Sequence, residues 1–287
     1  MAEGEQKLVD TRGRFTQVVK NGRELTDAGW TSGRVLLSNR RIVLAASAGK
    51  RDIPLSAVES LGGRYDHNQA LASVGDYVAV TFGDNVVLVA AEDGEAFEDG
   101  LFRALLDRSV LLVRHPAVEG GVVQDTGWEK ARIKLGDGVV NLALATGTFV
   151  EIELDDVGDV DTAERTVDGE TRQVVEAEHT VDETSVWTYV SGPTRRCEFL
   201  RSLLARSVEE TQASLDLDKT EREVLTALYS GVSPFEIPDF LGLDVDDAEE
   251  IFERLVDLDV LDEVRKRREV TLTARGRNIA SESIGDQ

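Results

Sequence analysis

One register dominates this sequence: two separated stretches recur 98 residues further along the chain, and a third between them recurs 99 further along. Asp27-Ala28-Gly29-Trp30, followed by Arg34, Val35 and Leu37, returns as Asp125-Thr126-Gly127-Trp128, followed by Arg132, Ile133 and Leu135. With one residue of slippage, Ile53, Leu55, Val58 and Leu61 fall opposite Ile152, Leu154, Val157 and Val160. Phe102-Arg103-Ala104-Leu105-Leu106-Asp107-Arg108-Ser109-Val110 returns as Leu200-Arg201-Ser202-Leu203-Leu204-Ala205-Arg206-Ser207-Val208, again 98 positions on. Chance matches do not hold one register across a whole module. The chain is therefore read as two copies of a unit of roughly 100 residues, to be understood before any single residue is.

Within copy one, GRVLLSNRRIVLAA alternates as two strands around Ser38-Asn39-Arg40, where Asn39 is expected to take the positive φ of a tight turn. Copy two carries Gly136-Asp137-Gly138 at that place. Two more strands follow in each copy, Asp76 to Phe82 and Asn85 to Ala90, then Val174 to Thr180 and Ser185 to Val190. Each copy closes with a helix whose Leu105 and Leu106, or Leu203 and Leu204, would cover the open end of a barrel. Six or seven antiparallel strands and one terminal helix resemble the pleckstrin-homology-like fold, and the order strand, turn, strand, IPLxxV is similar to its GRAM-type relatives. The expected domains are residues 1–112 and 113–212, with Val113 to Gly120 as an extended linker around His115-Pro116. Trp30 and Trp128 are assigned to core packing, because a Trp buries enough area to dominate a small barrel. The cluster Arg40, Arg41, Lys50 and Arg51 resembles a phosphoinositide site, but copy two has Gly138, Val139, Gly147 and Thr148 around the matching turns. Solvated turn charges are the expected reading.

After Glu210 the period changes from two to 3.6. Asp218 caps a helix TEREVLTALYSG that stops at Gly231, Pro234 opens a short second helix ending at Gly242, and VDDAEEIFERLVDLDVL supplies a third. A strand from Glu269 to Thr273 and the closing LTARGR complete the pattern of a winged helix-turn-helix over residues 213–287. Such a shape suggests DNA, and its charge argues against it. From Asp244 to Asp259 the sequence carries eight acids (Asp244, Asp246, Asp247, Glu249, Glu250, Glu253, Asp257 and Asp259) against Arg254. A recognition helix meets about one phosphate per 1.7 Å of duplex axis and normally brings Arg or Lys to it. The basic run Arg265, Lys266, Arg267 and Arg268 could touch phosphate or balance the acids beside it. Protein binding is expected, and nucleic-acid binding is not.

The whole chain is acidic, with 55 Asp and Glu against 32 Lys and Arg and a formal charge of −23. A surface of that kind repels itself unless salt screens it, and the Debye length falls to about 3 Å at 1 M. A salt-loving source, a haloarchaeon, is the expectation. The polar opening MAEGEQKLVDTRGRF and the lack of an apolar run long enough to span a bilayer predict a cytoplasmic protein with no direct membrane insertion. No catalytic residue, cofactor site or metal site is expected: His67, His115 and His179 show no ligand spacing, Cys197 is the lone cysteine, and GxSxG, GxxxxGK[ST] and GxGxxG are absent. The chain is read as a non-enzyme.

GRVLLSNRRIVLAA, IPLSAVESLGGRYD and LTARGRNIA, together with the duplicated barrels and the acidic third module, resemble the archaeal taxis adaptor family CheF over essentially the whole chain. The resemblance implies an adaptor of chemotaxis and phototaxis that receives the phosphorylated response regulator CheY, associates with CheC and CheD proteins, and contacts the cytoplasmic switch proteins of the archaeal motor at the inner face of the membrane. No motif of the family assigns these contacts to residues. The exposed acids Asp246, Asp247, Glu250 and Glu253 and the bases Arg265, Lys266, Arg267 and Arg268 are the expected partner surface. Two other classes stay open: a winged-helix transcription regulator with a barrel sensor, and a membrane-peripheral GRAM-like protein.

Overall fold

The structure is a computed structural model, and the described residues are 4–26, 28–62, 77–182, 184–214, 217–258 and 260–261. Copy one runs β1 (Lys7–Lys20), β2 (Arg23–Glu24), β3 (Thr31–Ser38), β4 (Arg41–Ala46), β5 (Gly49–Pro54), one 3-10 turn (Leu55–Ala57), β6 (Val58–Gly62), β7 (Val78–Phe82), β8 (Asn85–Ala91) and α1 (Gly94–Leu106). Copy two repeats every element as β9 (Val110–Glu119), β10 (Val122–Val123), β11 (Glu129–Leu135), β12 (Val139–Leu144), β13 (Phe149–Glu153), a 3-10 turn (Leu154–Asp156), β14 (Asp159–Val167), β15 (Glu170–Val181), β16 (Thr184–Ser191) and α2 (Thr194–Ser214).

The two sheets have one topology. The first is ordered β5-β4-β3-β1-β8-β7-β6 with β2 on β1, and the second β13-β12-β11-β9-β16-β15-β14 with β10 on β9. Register is duplicated too. Arg12 faces Arg34 and Arg14 faces Ser32 across β1 and β3, while Val110 faces Arg132 and Leu112 faces Lys130 across β9 and β11. Period-two burial follows from this pairing: Ala131, Ile133 and Leu135 point inward while Lys130, Arg132 and Lys134 are exposed. The long first strand serves both wings of its sheet. The first half of β1 pairs with β3 and the second half with β8, and a register shift between Gln17 and Val19 bends it.

Three expectations change in three dimensions. Residues 113–119 are not a linker but most of β9, a central strand hydrogen-bonded to β11 and β16, with Val113 fully buried and the His115-Pro116 bond cis. Apolar alternation around Pro116 is the local signal of this strand. Asn39 does not take a positive φ; its side chain accepts from Gln6 N at 2.9 Å, so the turn is held by β1's leading end. Trp30 and Trp128 do not sit in the main core either. Each is half-buried in a satellite cluster, Trp30 with Val18, Ala79 and Leu88, Trp128 with Ala117, Val167, Val174 and Tyr189.

The main core is a single cluster drawn from both copies, from Val35 and Phe97 of copy one to Ile133, Phe199 and Leu204 of copy two. Polar contacts across the joint are reciprocal. From α1, Arg103 donates to Gly136 O at 3.1 Å on the β11–β12 turn. From α2, Arg195 donates to Leu55 O and Val58 O, and Ser202 Oγ donates to Leu61 O at 3.0 Å. Arg206 of α2 pairs with Glu98 and, at 3.3 Å, with Asp99 of α1, its guanidinium lying 5.4 Å from the Phe102 ring centroid. Accordingly Met1–Ala213 forms one compact unit and Ser214–Gln287 a second.

The second unit holds α3 (Lys219–Tyr229), a 3-10 turn (Pro234–Glu236), α4 (Ile237–Leu241) and α5 (Val245–Asp257) around Val224, Ala227, Ile237 and Leu255. The expected stops are in place: Gly231 and Gly242 take φ of 88° and 69°, where only glycine is unstrained. The expected strand Glu269 to Thr273 and the closing LTARGR lie outside the described residues.

Arg206 gives the joint a direct test. Truncating it strips a mostly buried Glu98 of its partner, so Arg206→Ala is expected to lower the unfolding free energy by about 2–3 kcal/mol in urea titrations at molar KCl, whereas Glu98→Gln, which leaves no uncompensated carboxylate, should cost less.

Candidate functional site

The second unit's outward chemistry is set by α5. Asp218 caps α3 in a reciprocal box: Glu221 N donates to Asp218 Oδ1 at 2.8 Å and Asp218 N donates to Glu221 Oε2 at 2.6 Å. Buried Glu221 also meets Arg254 Nε at 2.9 Å, tying the start of α3 to the last turn of α5. Arg254, the lone base among the eight acids of this stretch, therefore has an internal partner. Ala248, Ile251, Phe252 and Leu255 turn the other face of α5 into the core.

What remains faces solvent. Asp246, Asp247, Glu250 and Glu253 are all exposed, and their spacing of three and four residues lines them along one side of α5. Asp246 and Asp247 lie in the first turn, where the helix dipole favours negative charge. Like charges at i, i+4 destabilise an isolated helix by about 0.2–0.5 kcal/mol a pair. Packing and salt screening must hold such a row in place. Arg265, Lys266, Arg267 and Arg268 lie outside the described residues.

The same unit also exposes large aromatics. Tyr229 ends α3, Phe235 sits in the 3-10 turn and Phe240 in α4, and they are 96%, 73% and 63% exposed. The helix period places Ile237 and Leu241 inward and leaves Phe240 outside; reading FEIPDFLGL as a helix and asking which aromatics face away would have found it. Aromatic side chains are enriched at protein interfaces relative to the rest of the surface.

In the first unit, the structure brings together two of the three histidines. His115 and His179 stack with centroids 5.8 Å apart and share one hydroxyl: Thr188 Oγ1 lies 2.7 Å from His115 Nδ1 and 2.8 Å from His179 Nε2. A hydroxyl has one proton, so it donates to one ring and accepts from the other. Burial pushes both histidines down, His115 to about 4 with His179's proximity adding to the effect. At neutral pH both rings are uncharged. His67 lies outside the described residues, and among those described no three His, Cys, Asp or Glu side chains converge as a metal site. Burial raises the Cys197 thiol to about 11, so it stays protonated and is a poor nucleophile.

Two curled sheets of duplicated topology joined through one core, followed by an acidic helical unit, define a class of duplicated β-sheet protein with a helical C-terminal unit. Residues 7–210 match the profile of the archaeal chemotaxis signal transduction system protein F family, and the chain belongs to that family. Residues 216–285 match a domain of unknown function. The chain is 53% identical over 290 residues to Taxis protein CheF1 of Halobacterium salinarum, covering 100% of both chains. It is 27% identical over 267 residues to Taxis protein CheF2 of the same organism, covering 88% of this chain and 90% of the relative. No helix among the described residues is long and apolar enough to cross a membrane.

The histidine pair makes stability depend on acidity in a definite direction. Unfolded imidazoles take up protons near pH 6.5, whereas burial keeps His115 neutral until nearer pH 4 and holds His179 neutral below its ordinary range, so this contribution is complete above 6.5 and is lost as the pH falls towards 4. Melting curves should show a lower Tm at pH 5 than at pH 7.5, and the gap should narrow in His115→Gln/His179→Gln; an unchanged gap would reject the assignment.

Proposed function

We propose that this family member is a non-enzymatic adaptor of archaeal chemotaxis and phototaxis, carrying the signal of the phosphorylated response regulator CheY, with CheC and CheD proteins, to the cytoplasmic switch proteins of the archaeal motor. The observation that carries the reading is the exposed acidic face of α5 on a unit that also exposes large aromatics, in a chain whose family is one of taxis signalling. An adaptor needs separate surfaces, and a duplicated scaffold with a further unit provides them. Two pleckstrin-homology-like domains, residues 1–112 and 113–212, and a winged-helix domain, residues 213–287, are the fold assignments that accompany it. Seven strands along each sheet path and a closing helix support the first, and three helices of the right order support the second. Cytoplasmic placement at the motor and a halophilic setting go with the acidity and the Halobacterium relatives.

The partner surface is Asp246, Asp247, Glu250 and Glu253 together with Arg265, Lys266, Arg267 and Arg268. A transcription regulator would bring bases to the groove from α5, where this chain presents carboxylates. Reversing the four α5 acids to Lys in the full chain should weaken binding to phosphorylated regulator or to switch proteins by about ten-fold or more, with helical content unchanged by circular dichroism. Reversal of the four bases is the second arm. Unchanged affinity for both partners in both arms rejects the surface, and sequence-specific duplex binding at molar salt rejects the adaptor.

A further inference from the structure

The two copies share topology and register, so positions that agree between them answer to the fold and positions that differ are free for function. The sharpest difference lies on the outward side of the first strand. Asp10, Arg12, Arg14, Ser32 and Arg34 of copy one become Arg108, Val110, Leu112, Lys130 and Arg132 in copy two. Pairing is conserved while chemistry is not: Arg12 faces Arg34 as Val110 faces Arg132, and Arg14 faces Ser32 as Leu112 faces Lys130. The scaffold does not require arginine at 12 and 14.

Around these residues lies an open groove of about 1160 Å³, floored by β1 between β3 and β8 and closed by Ala90, Ala91 and Glu92. Its lining sets three guanidinium groups against two carboxylates, in a chain whose net charge is −23. One of those carboxylates is already engaged. Asp10 takes a two-pronged bond from Arg34, Nε to Oδ1 at 2.6 Å and Nη2 to Oδ2 at 2.7 Å, and a third from Lys7 Nζ at 2.8 Å. Those bonds hold its carboxyl down at about 2. Arg12 and Arg14 are exposed and have no ion pair among the described residues. Small Ser32 and Ala90 stand on either side of Arg14, leaving its fork room to receive a ligand.

We propose that this groove docks a carboxylate-rich, extended segment of a partner protein, with Arg12 and Arg14 as the two forks that receive its acids. Arginines two apart on a strand project on one face about 7 Å from each other, which is the repeat of alternate side chains in an extended peptide. The fork shape suits carboxylates, as Arg34 on Asp10 demonstrates a strand away. An enclosed small-molecule site would fill most of its walls with apolar side chains; this groove is open and polar. A long polyanion such as duplex DNA extends beyond the groove into the field of the surrounding acids, whereas a short acidic segment stays over the lining, where three guanidinium groups outnumber the carboxylates of Asp10 and Glu92. The inference concerns the first unit and stands independently of the α5 surface.

The full chain, at the lowest salt at which circular dichroism shows it folded, would be titrated with a hexaglutamate peptide, a hexaglutamine peptide, inorganic phosphate and a short DNA duplex. Calorimetry would be read together with the side-chain Nε resonances of 15N-arginine-labelled protein. Saturable hexaglutamate binding that moves two arginine signals, both absent from Arg12→Ser/Arg14→Ser, is expected. Affinity should fall about ten-fold or more in that double variant and stay within about two-fold in Arg132→Ser, which removes an exposed cation from the matching place in copy two. No binding of hexaglutamate, equal binding of hexaglutamine, unchanged affinity in the double variant, or tighter binding of phosphate or duplex would each overturn the proposal.

Discussion

The joint between the two copies carries the rest of this structure. Each sheet curls around an apolar interior, and the two interiors merge through the closing helices, so that Phe97, Leu101 and Leu105 of α1 and Phe199, Leu203 and Leu204 of α2 belong to one continuous cluster. Apolar area of that kind is the main favourable term, and it has no direction. Direction comes from the arginines: Arg103 reaches into copy two, Arg195 and Arg206 reach into copy one, and each ends on a carbonyl or carboxylate that fixes its position. A charged side chain at a seam is costly if it slips, and that cost fixes the seam's geometry.

With a rigid joint, differences between the copies acquire meaning. Both first strands hold the same place in the same sheet, yet Gln17 of copy one bonds Val19 O and Asn85 where His115 of copy two bonds Thr188 beside His179. Arg12 and Arg14 stand where copy two has Val110 and Leu112. Duplication preserves hydrogen-bond ladders and inward residues because these specify the sheet. Outward residues are released from that demand, and a two-copy scaffold can present two unlike faces for association.

Charge is organised rather than merely abundant. Arg41 meets Glu5, Arg165 meets Glu176, Arg206 meets Glu98 and Arg254 meets buried Glu221, each engaging a base of the chain at a structural position. With those bases committed, outer faces such as that of α5 remain as rows of carboxylate. In concentrated salt such rows are screened within about 3 Å and do not unfold the helix that bears them. The same screening favours contacts that are short, desolvated and geometrically matched.

The repeat, the strand pairs GRVLLSNRRIVLAA and its partner, the closing helices and the three helices after Asp218 were legible because they rest on local periodicity, on glycine stops and on self-similarity. The acids of α5 were legible as a face, since 3.6 residues per turn dictates which of them align. Strand β9 is not legible in the sequence because Pro116 signals a break locally, while pairing on both sides overrides it. Trp30 and Trp128 were placed in the core on size alone, but which face of a sheet a residue occupies depends on register and on bulges, and those are set across strands. Local patterning along the chain sets the duplicated order of elements and the sign of the surface. Packing in three dimensions sets that the two cores are one, that His115 and His179 share a hydroxyl, and that Arg12 and Arg14 lie in a groove with no ion pair among the described residues, because each joins strands far apart in the chain and is fixed by packing between them.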